Sequence, residues 1–89
     1  MIRLIPTKNH VLIEAVEEGA IREVMPADVP QEWGFFCVRE TAEYIQEDQE
    51  ILLKGDIVLA PAHAGMALQI HGRTYRLVPQ TDILALWKG

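Results

Sequence analysis

The sequence predicts a small all-β protein, folded as a partly open antiparallel β-barrel that carries one long mobile loop. Short apolar segments rich in β-branched residues recur along the 89-residue chain, separated by turn residues. Spacing of about 8–12 residues between such segments is typical of small barrels. No segment shows helical periodicity beyond about two turns. A chain of this length forms one domain, here taken as residues 1–89.

The strands are predicted from apolar runs bounded by turn residues. An alternating run that starts at Met66 is followed by Gly72 and a returning apolar segment, which is the pattern of a hairpin. The final apolar run is either a strand or a single turn. In chain order, the predicted strands are residues 11–16, 34–38, 51–53, 57–59, 66–70, 75–78 and 83–86.

Residues 17–33 are predicted to form a long loop. Pro26 and Pro30 exclude a central strand and break any helix. The segment contains five acidic residues and one basic residue, Arg22, and this excess of negative charge favours a solvated segment. Loops of this length in compact domains usually serve a function. Trp33 ends the loop, and Phe35 and Phe36 come just after it. These aromatics are interpreted as the anchor where the loop returns to the barrel, the alternative being that part of the cluster contacts a partner.

Residues 40–50 form a second acidic segment. It contains five carboxylates among eleven positions, and these cannot be buried together. We therefore expect a solvated excursion rather than a core element in this part of the chain.

Composition and charge limit the possible functions. The net charge of −5 disfavours nucleic-acid binding, which needs a basic face. No apolar run approaches the ~20 residues of a membrane span, and the first residues lack the profile of a signal peptide. Cys37 is the only cysteine, which fits a reducing compartment. The expected location is the cytoplasm.

Residues with catalytic or metal-binding chemistry are sparse. The chain has no serine, and Cys37 lies in an apolar strand pattern that usually makes a thiol inert. His10, His63 and His71 stand apart, and none has a second ligand at metal-binding spacing. We expect neither enzyme activity nor a catalytic, metal or cofactor site in this chain.

Several short motifs occur in an order that is found in one protein family. The chain opens with Ile2-Arg3-Leu4-Ile5-Pro6, and its later part holds Gly55-Asp56-Ile57-Val58 and then Ala64-Gly65. The hairpin glycine Gly72, an aromatic-Leu-Val segment at 75–78 and Asp-Ile-Leu-Ala at 82–85 complete the series. In this order the motifs resemble the GroES-type co-chaperonins, the small ring proteins that cap chaperonin cages.

The resemblance implies a ring-shaped lid, normally a heptamer, that assists protein folding without chemistry of its own. ATP would belong to a GroEL-type chaperonin partner and not to this chain. The mobile loop would bind the rim of the cage, and the two termini would join neighbouring subunits. The partner-binding residues would be Ile21, Val24, Met25 and Pro26, and the subunit interface would contain Ile2, Leu4, Ile5, Ile83, Leu84 and Leu86.

This chain also departs from the family pattern. The loop has Glu23-Val24-Met25 where the family has three apolar residues, so the anchor is either Val24-Met25 assisted by Ile21, or Ile21 after a shift of register. Val24 and Met25 folding back onto their own barrel is a third interpretation. Residues 39–52 lack the glycine-bounded roof hairpin, which predicts a reduced roof. A short, divergent member of this kind fits a virus-encoded protein working in the host cytoplasm.

A competing interpretation is a stand-alone β-barrel that serves as an interaction or assembly module without a chaperonin. It accounts for the barrel but gives no role to the long loop and its Val-Met-Pro sequence.

Overall fold

The chain forms a single antiparallel β-sheet. A computed structural model describes residues 4–16, 32–42 and 51–87. The six strands follow the order β4-β5-β1-β2-β3-β6 across an open sheet, and every neighbouring pair is antiparallel. The all-β antiparallel class predicted from the sequence is confirmed. The elements are β1 (His10–Ala15), β2 (Trp33–Thr41), β3 (Ile57–Pro61), β4 (Met66–Ile70), β5 (Arg73–Pro79), the 3-10 turn Gln80–Asp82 and β6 (Ala85–Trp87).

Strand β1 lies at the centre of the sheet, between β5 and β2. Its pairing with β2 shifts register between Leu12 and Ile13, because Leu12 lies opposite Glu40 whereas Ile13 lies opposite Val38. Arg39 is therefore the extra residue of a β-bulge. A bulge re-aims the side chain that it carries, and Arg39 here reaches Glu14 on β1.

The core lies on one face of the sheet, which we call the core face. Alternate residues of the central strands are fully buried there, since side chains of a strand point to opposite faces in turn. Residues 80–87 form what we call the terminal segment. Its Ile83 and Leu86 pack against this cluster without being fully buried. The buried residues of the cluster are Val11, Ile13, Phe36, Val38, Leu52, Val58, Ala60, Ala64 and Val78.

Two glycines explain how the last strands connect. His71 and Gly72 both have positive φ, at 52° and 79°. Two such residues form the type I′ turn that suits a tight hairpin between β4 and β5. Gly65 also has positive φ, and a Cβ at this position would lie 2.1 Å from the carbonyl oxygen of Leu77. Only glycine permits the backbone before β4 to approach β5 this closely.

Three strand predictions need correction. Strand β2 extends to Thr41, so residues 39–41 of the expected roof region belong to the sheet. Its first residue is Trp33, which had been assigned to the loop. Residues 51–53 do not form a strand. There the chain turns sharply, because the amide of Leu53 donates to the side chain of Asp56 and the amide of Asp56 donates to the carbonyl of Leu53.

The aromatic cluster and the thiol lie in β2. Phe35 and Phe36 are buried and Trp33 is half-buried, while most of the loop that they were expected to anchor lies outside the described residues. Cys37 is a free thiol that is half-buried rather than buried, because it lies on the opposite face from Phe36 and Val38. The remaining predicted loop, residues 17–31, and residues 43–50 lie outside the described residues.

Candidate functional site

The terminal segment is the best-defined candidate for contact with another chain. Pro79, the last residue of β5, precedes the 3-10 turn, which ends where the amide of Ile83 donates to the carbonyl of Gln80 at 3.0 Å. The amide of Leu84 then donates to the carbonyl of Leu59 at 2.8 Å. This bond starts the pairing of β6 with β3. The sequence left a strand or a single turn as alternatives for residues 83–86. The structure has β6 at Ala85–Trp87, and the 3-10 turn lies before this range.

The three predicted interface residues in this segment have different surroundings. Ile83 and Leu86 contact the core of their own chain. Leu84 lies between them and is 56% exposed. Strand β6 occupies one end of the sheet, and its only pairing among the described strands is with β3. Leu84 and the outer edge of β6 are thus the parts of this segment that another chain can reach.

An aromatic pair fixes the last residue of β6. The rings of Trp87 and Phe35 have centroids 5.4 Å apart and planes inclined by 46°. This tilted arrangement is favourable for aromatic pairs beyond the area that they bury. Because Phe35 belongs to β2, the contact reaches across β3 and holds β6 against the sheet.

The N-terminal segment joins the chain near the same terminal turn. Leu4 is half-buried, Ile5 is 39% exposed and Ile2 lies outside the described residues. A turn with positive φ at Lys8 and Asn9 leads into β1. The carbonyl of Asn9 accepts a 2.7 Å hydrogen bond from the amide of Gln80. This bond joins the residues that follow the predicted N-terminal interface segment to those that precede the C-terminal one.

Sequence reasoning missed a further pair of exposed apolar side chains. Ile51 and Leu53 are 60% and 57% exposed, while Leu52 between them is buried in the core. The turn at Lys54 and Gly55 follows directly, and the amide of Gly55 donates to the carbonyl of Val38. The apolar run Ile-Leu-Leu before a turn predicts a strand, whereas the structure has no strand geometry at residues 51–53.

The predicted partner-binding residues Ile21, Val24, Met25 and Pro26 lie outside the described residues. The chain on either side of them is held by the sheet. The amide of Val16 donates to the carbonyl of Phe35 at 3.0 Å, and the carbonyl of Glu32 accepts from the amide of Ala62 at 2.7 Å. The segment between these two points is therefore attached to the sheet at both of its ends.

Polar side chains form one network on the face opposite the core. Glu14, which is 13% exposed, accepts hydrogen bonds from two arginines. Arg39 Nε donates to Glu14 Oε1 at 2.9 Å, while Arg73 Nε and Nη2 donate to Oε2 and Oε1 at 2.9 and 3.2 Å. The network links β1, β2 and β5, and this two-point arginine contact is the stronger type of ion pair.

The three histidines lie apart from one another. His10 begins β1, where its Nδ1 contacts the carbonyl oxygens of Thr7 and Lys8, while His63 and His71 are exposed. Within residues 4–16, 32–42 and 51–87, no three His, Cys, Asp or Glu side chains are grouped to hold a metal ion.

The described residues also contain no helix with the length and apolar composition of a membrane span.

Comparison with known proteins gave no match to a family model and none to a characterised protein sequence. The arguments for function therefore rest on the motifs of the sequence and on the geometry of the sheet.

Proposed function

We propose that this chain is a co-chaperonin, a ring-shaped lid that closes an ATP-driven chaperonin cage during protein folding. The observation that carries the proposal is the terminal segment, which presents the exposed Leu84 beside the edge of β6 that pairs with no other described strand. In the GroES-type family that the sequence resembles, the terminal strands join neighbouring subunits. Closure of the open sheet into a partly open barrel of that type belongs to the same proposal.

A ring follows from a contact between two different surfaces of the same chain. Such head-to-tail contacts either close into rings or continue as filaments. The first residues and the terminal segment supply two different surfaces, and the bond between Asn9 and Gln80 fixes their relative position at one point. A heptamer is the subunit number that the family resemblance implies.

The proposed lid would bind its partner through the segment between Val16 and Glu32. Ordering a solvated loop costs conformational entropy, so one copy binds weakly. Several copies on one ring bind by avidity, because each further contact is effectively intramolecular. Weak single contacts also permit release when the nucleotide state of the partner changes. ATP remains with the chaperonin, and the proposed cellular location is the cytoplasm.

The test is assembly with a GroEL-type chaperonin. We expect the chain to co-migrate with the chaperonin on size exclusion only in the presence of adenine nucleotide. Under the alternative function, a stand-alone assembly module, the chain forms its own oligomer and never co-migrates. Nucleotide-independent co-migration would point to capture as an unfolded substrate, and it would contradict the proposed lid.

A further inference from the structure

A pocket of about 340 Å³ opens at one end of the core face, where β1 ends and β2 begins. Ala15 and Phe36 face each other across these strands. Gly34 keeps the pocket open, since a Cβ at this position would lie 3.0 Å from the ring of Phe36. The walls are mainly apolar, and two polar side chains from β5 complete the lining. The lining residues that matter here are Ala15, Gly34, Phe36, Ala62, Thr74 and Arg76.

Arg76 supplies a positive charge to this pocket. It lies opposite Ile13 on the core face and is half-buried. Its Nε donates to the carbonyl of Ala64 at 2.6 Å, which fixes the guanidinium on a neutral acceptor. The ion pairs seen among the described residues use Arg39, Lys54 and Arg73. Within that part of the chain, no carboxylate balances the charge of Arg76.

The combination indicates the chemistry of a ligand. Small-molecule sites are mostly apolar concavities of about 300–1,000 Å³ with a few polar groups that fix orientation. A guanidinium carries five N–H donors and matches the geometry of a carboxylate. At roughly 30 Å³ for each water-sized group, the volume admits about ten non-hydrogen atoms. We propose that this pocket binds a small monocarboxylate with an unbranched apolar chain, its carboxylate on Arg76 and its chain against Ala15, Gly34 and Phe36.

Sodium octanoate is the probe that tests the proposal on the full-length protein. Backbone amide NMR should show saturable shifts below the micelle concentration, centred on Ala15, Gly34 and Ala62. Octylammonium has the same chain and the opposite charge, and it should cause no shifts there. This difference separates recognition by Arg76 from nonspecific binding of an alkyl chain.

Two variants test the two parts of the site. Arg76→Gln should weaken octanoate binding about tenfold, as expected for loss of a charge-assisted hydrogen bond. Ala15→Leu should abolish binding by filling the pocket, and because Ala15 is exposed at the end of β1, the fold should tolerate the larger side chain. Lys8→Gln removes an exposed cation outside the lining, and Thr81→Leu enlarges an exposed side chain of the 3-10 turn. Both controls should bind octanoate as the wild type does.

The proposal is independent of the chaperonin function, and its failure would leave that function untouched. Equal shifts with octanoate and octylammonium would overturn it. Unchanged binding in Ala15→Leu would also overturn it, provided that the amide spectrum of the variant remains that of a folded protein. If Arg76→Gln loses its native spectrum, Arg76→Lys keeps the charge, and octanoate binding to that variant must then survive.

Discussion

Gly65 shows how a single residue position can determine the packing of two strands. A Cβ at residue 65 would meet the carbonyl oxygen of Leu77 at 2.1 Å and a methyl of Val78 at 2.7 Å. Gly65→Ala should therefore lower the free energy of unfolding by about 2–4 kcal/mol, from strain at positive φ and from displacement of β5. Urea denaturation followed by circular dichroism measures the change.

Gly72 provides the matched control for this prediction. Its φ is also positive, at 79°, but an added Cβ has no atom within 4 Å. Gly72→Ala should cost only about 1 kcal/mol, which is the conformational part alone. Equal losses in the two variants would show that the close approach to Leu77 does not matter.

Glu14 is the second residue whose role is local and measurable. Glu14→Gln removes the charge that Arg39 and Arg73 share and leaves two cations side by side. We expect a loss of about 1–2 kcal/mol in unfolding free energy, more than the ~0.5 kcal/mol expected for Lys54→Gln, which removes one ion pair instead of two. The loss should shrink as salt is raised. A loss that does not depend on salt would contradict an electrostatic origin.

Sequence patterns predicted some of these residue roles and not others. The turn glycines were identifiable, because isolated glycines between apolar runs mark reversals of the chain. The network of Glu14 was not, because its partners lie 25 and 59 residues away in sequence. Which arginine reaches Glu14 depends on strand order and on the bulge at Arg39, and neither can be read from spacing.

At the scale of elements, a substitution in the terminal segment can test ring assembly without unfolding the subunit. Leu84→Asp places a charge on an exposed side chain and should change the unfolding free energy of the subunit by less than about 0.5 kcal/mol. In the proposed ring the same charge would be buried without a partner, so assembly should fail. Sedimentation velocity should therefore show folded monomers for Leu84→Asp at concentrations where the wild type is a ring.

Ile83→Asp is the contrasting variant. Ile83 contacts the core of its own chain, so a charge there should destabilise the subunit itself. Loss of the ring in this variant would accompany a lower denaturation midpoint. If Leu84→Asp still forms rings, or if the wild type is monomeric at micromolar concentration, the terminal segment is not the interface.

Elements were predicted correctly where the local sequence pattern and the strand pairing in the fold favour the same structure. The hairpin around Gly72 was predicted because alternation and turn chemistry are both local. Residues 51–53 were predicted as a strand and are not one, because the amide of Leu53 bonds to the side chain of Asp56 and closes a turn. Of these three residues, Leu52 packs in the core. Strand β2 continues beyond its apolar part because Glu40 and Thr41 pair with Leu12 and Val11 of β1.

At the scale of the whole molecule, a chain of 89 residues is expected to be marginal on its own. Among the described residues, the main buried cluster comprises nine side chains, most of them from the four central strands. Burial of a further apolar surface between subunits would add stability that rises with the logarithm of subunit concentration. This physical need agrees with the proposed ring and with a stand-alone assembly module.

The last prediction distinguishes these two functions through the loop. Val24→Asp combined with Met25→Asp places two charges where the family resemblance puts the contact with the cage. The double variant should still assemble into rings, since both changes lie far in sequence from the terminal segment. It should no longer co-migrate with a GroEL-type chaperonin in the presence of nucleotide, because an apolar groove on the cage rim cannot accept two carboxylates without a large desolvation cost. Met66→Asp, which charges an exposed methionine on β4, is the matched control and should retain binding. A double variant that caps the cage as well as the wild type would remove the mechanism from the proposed function and leave the assembly module as the better account.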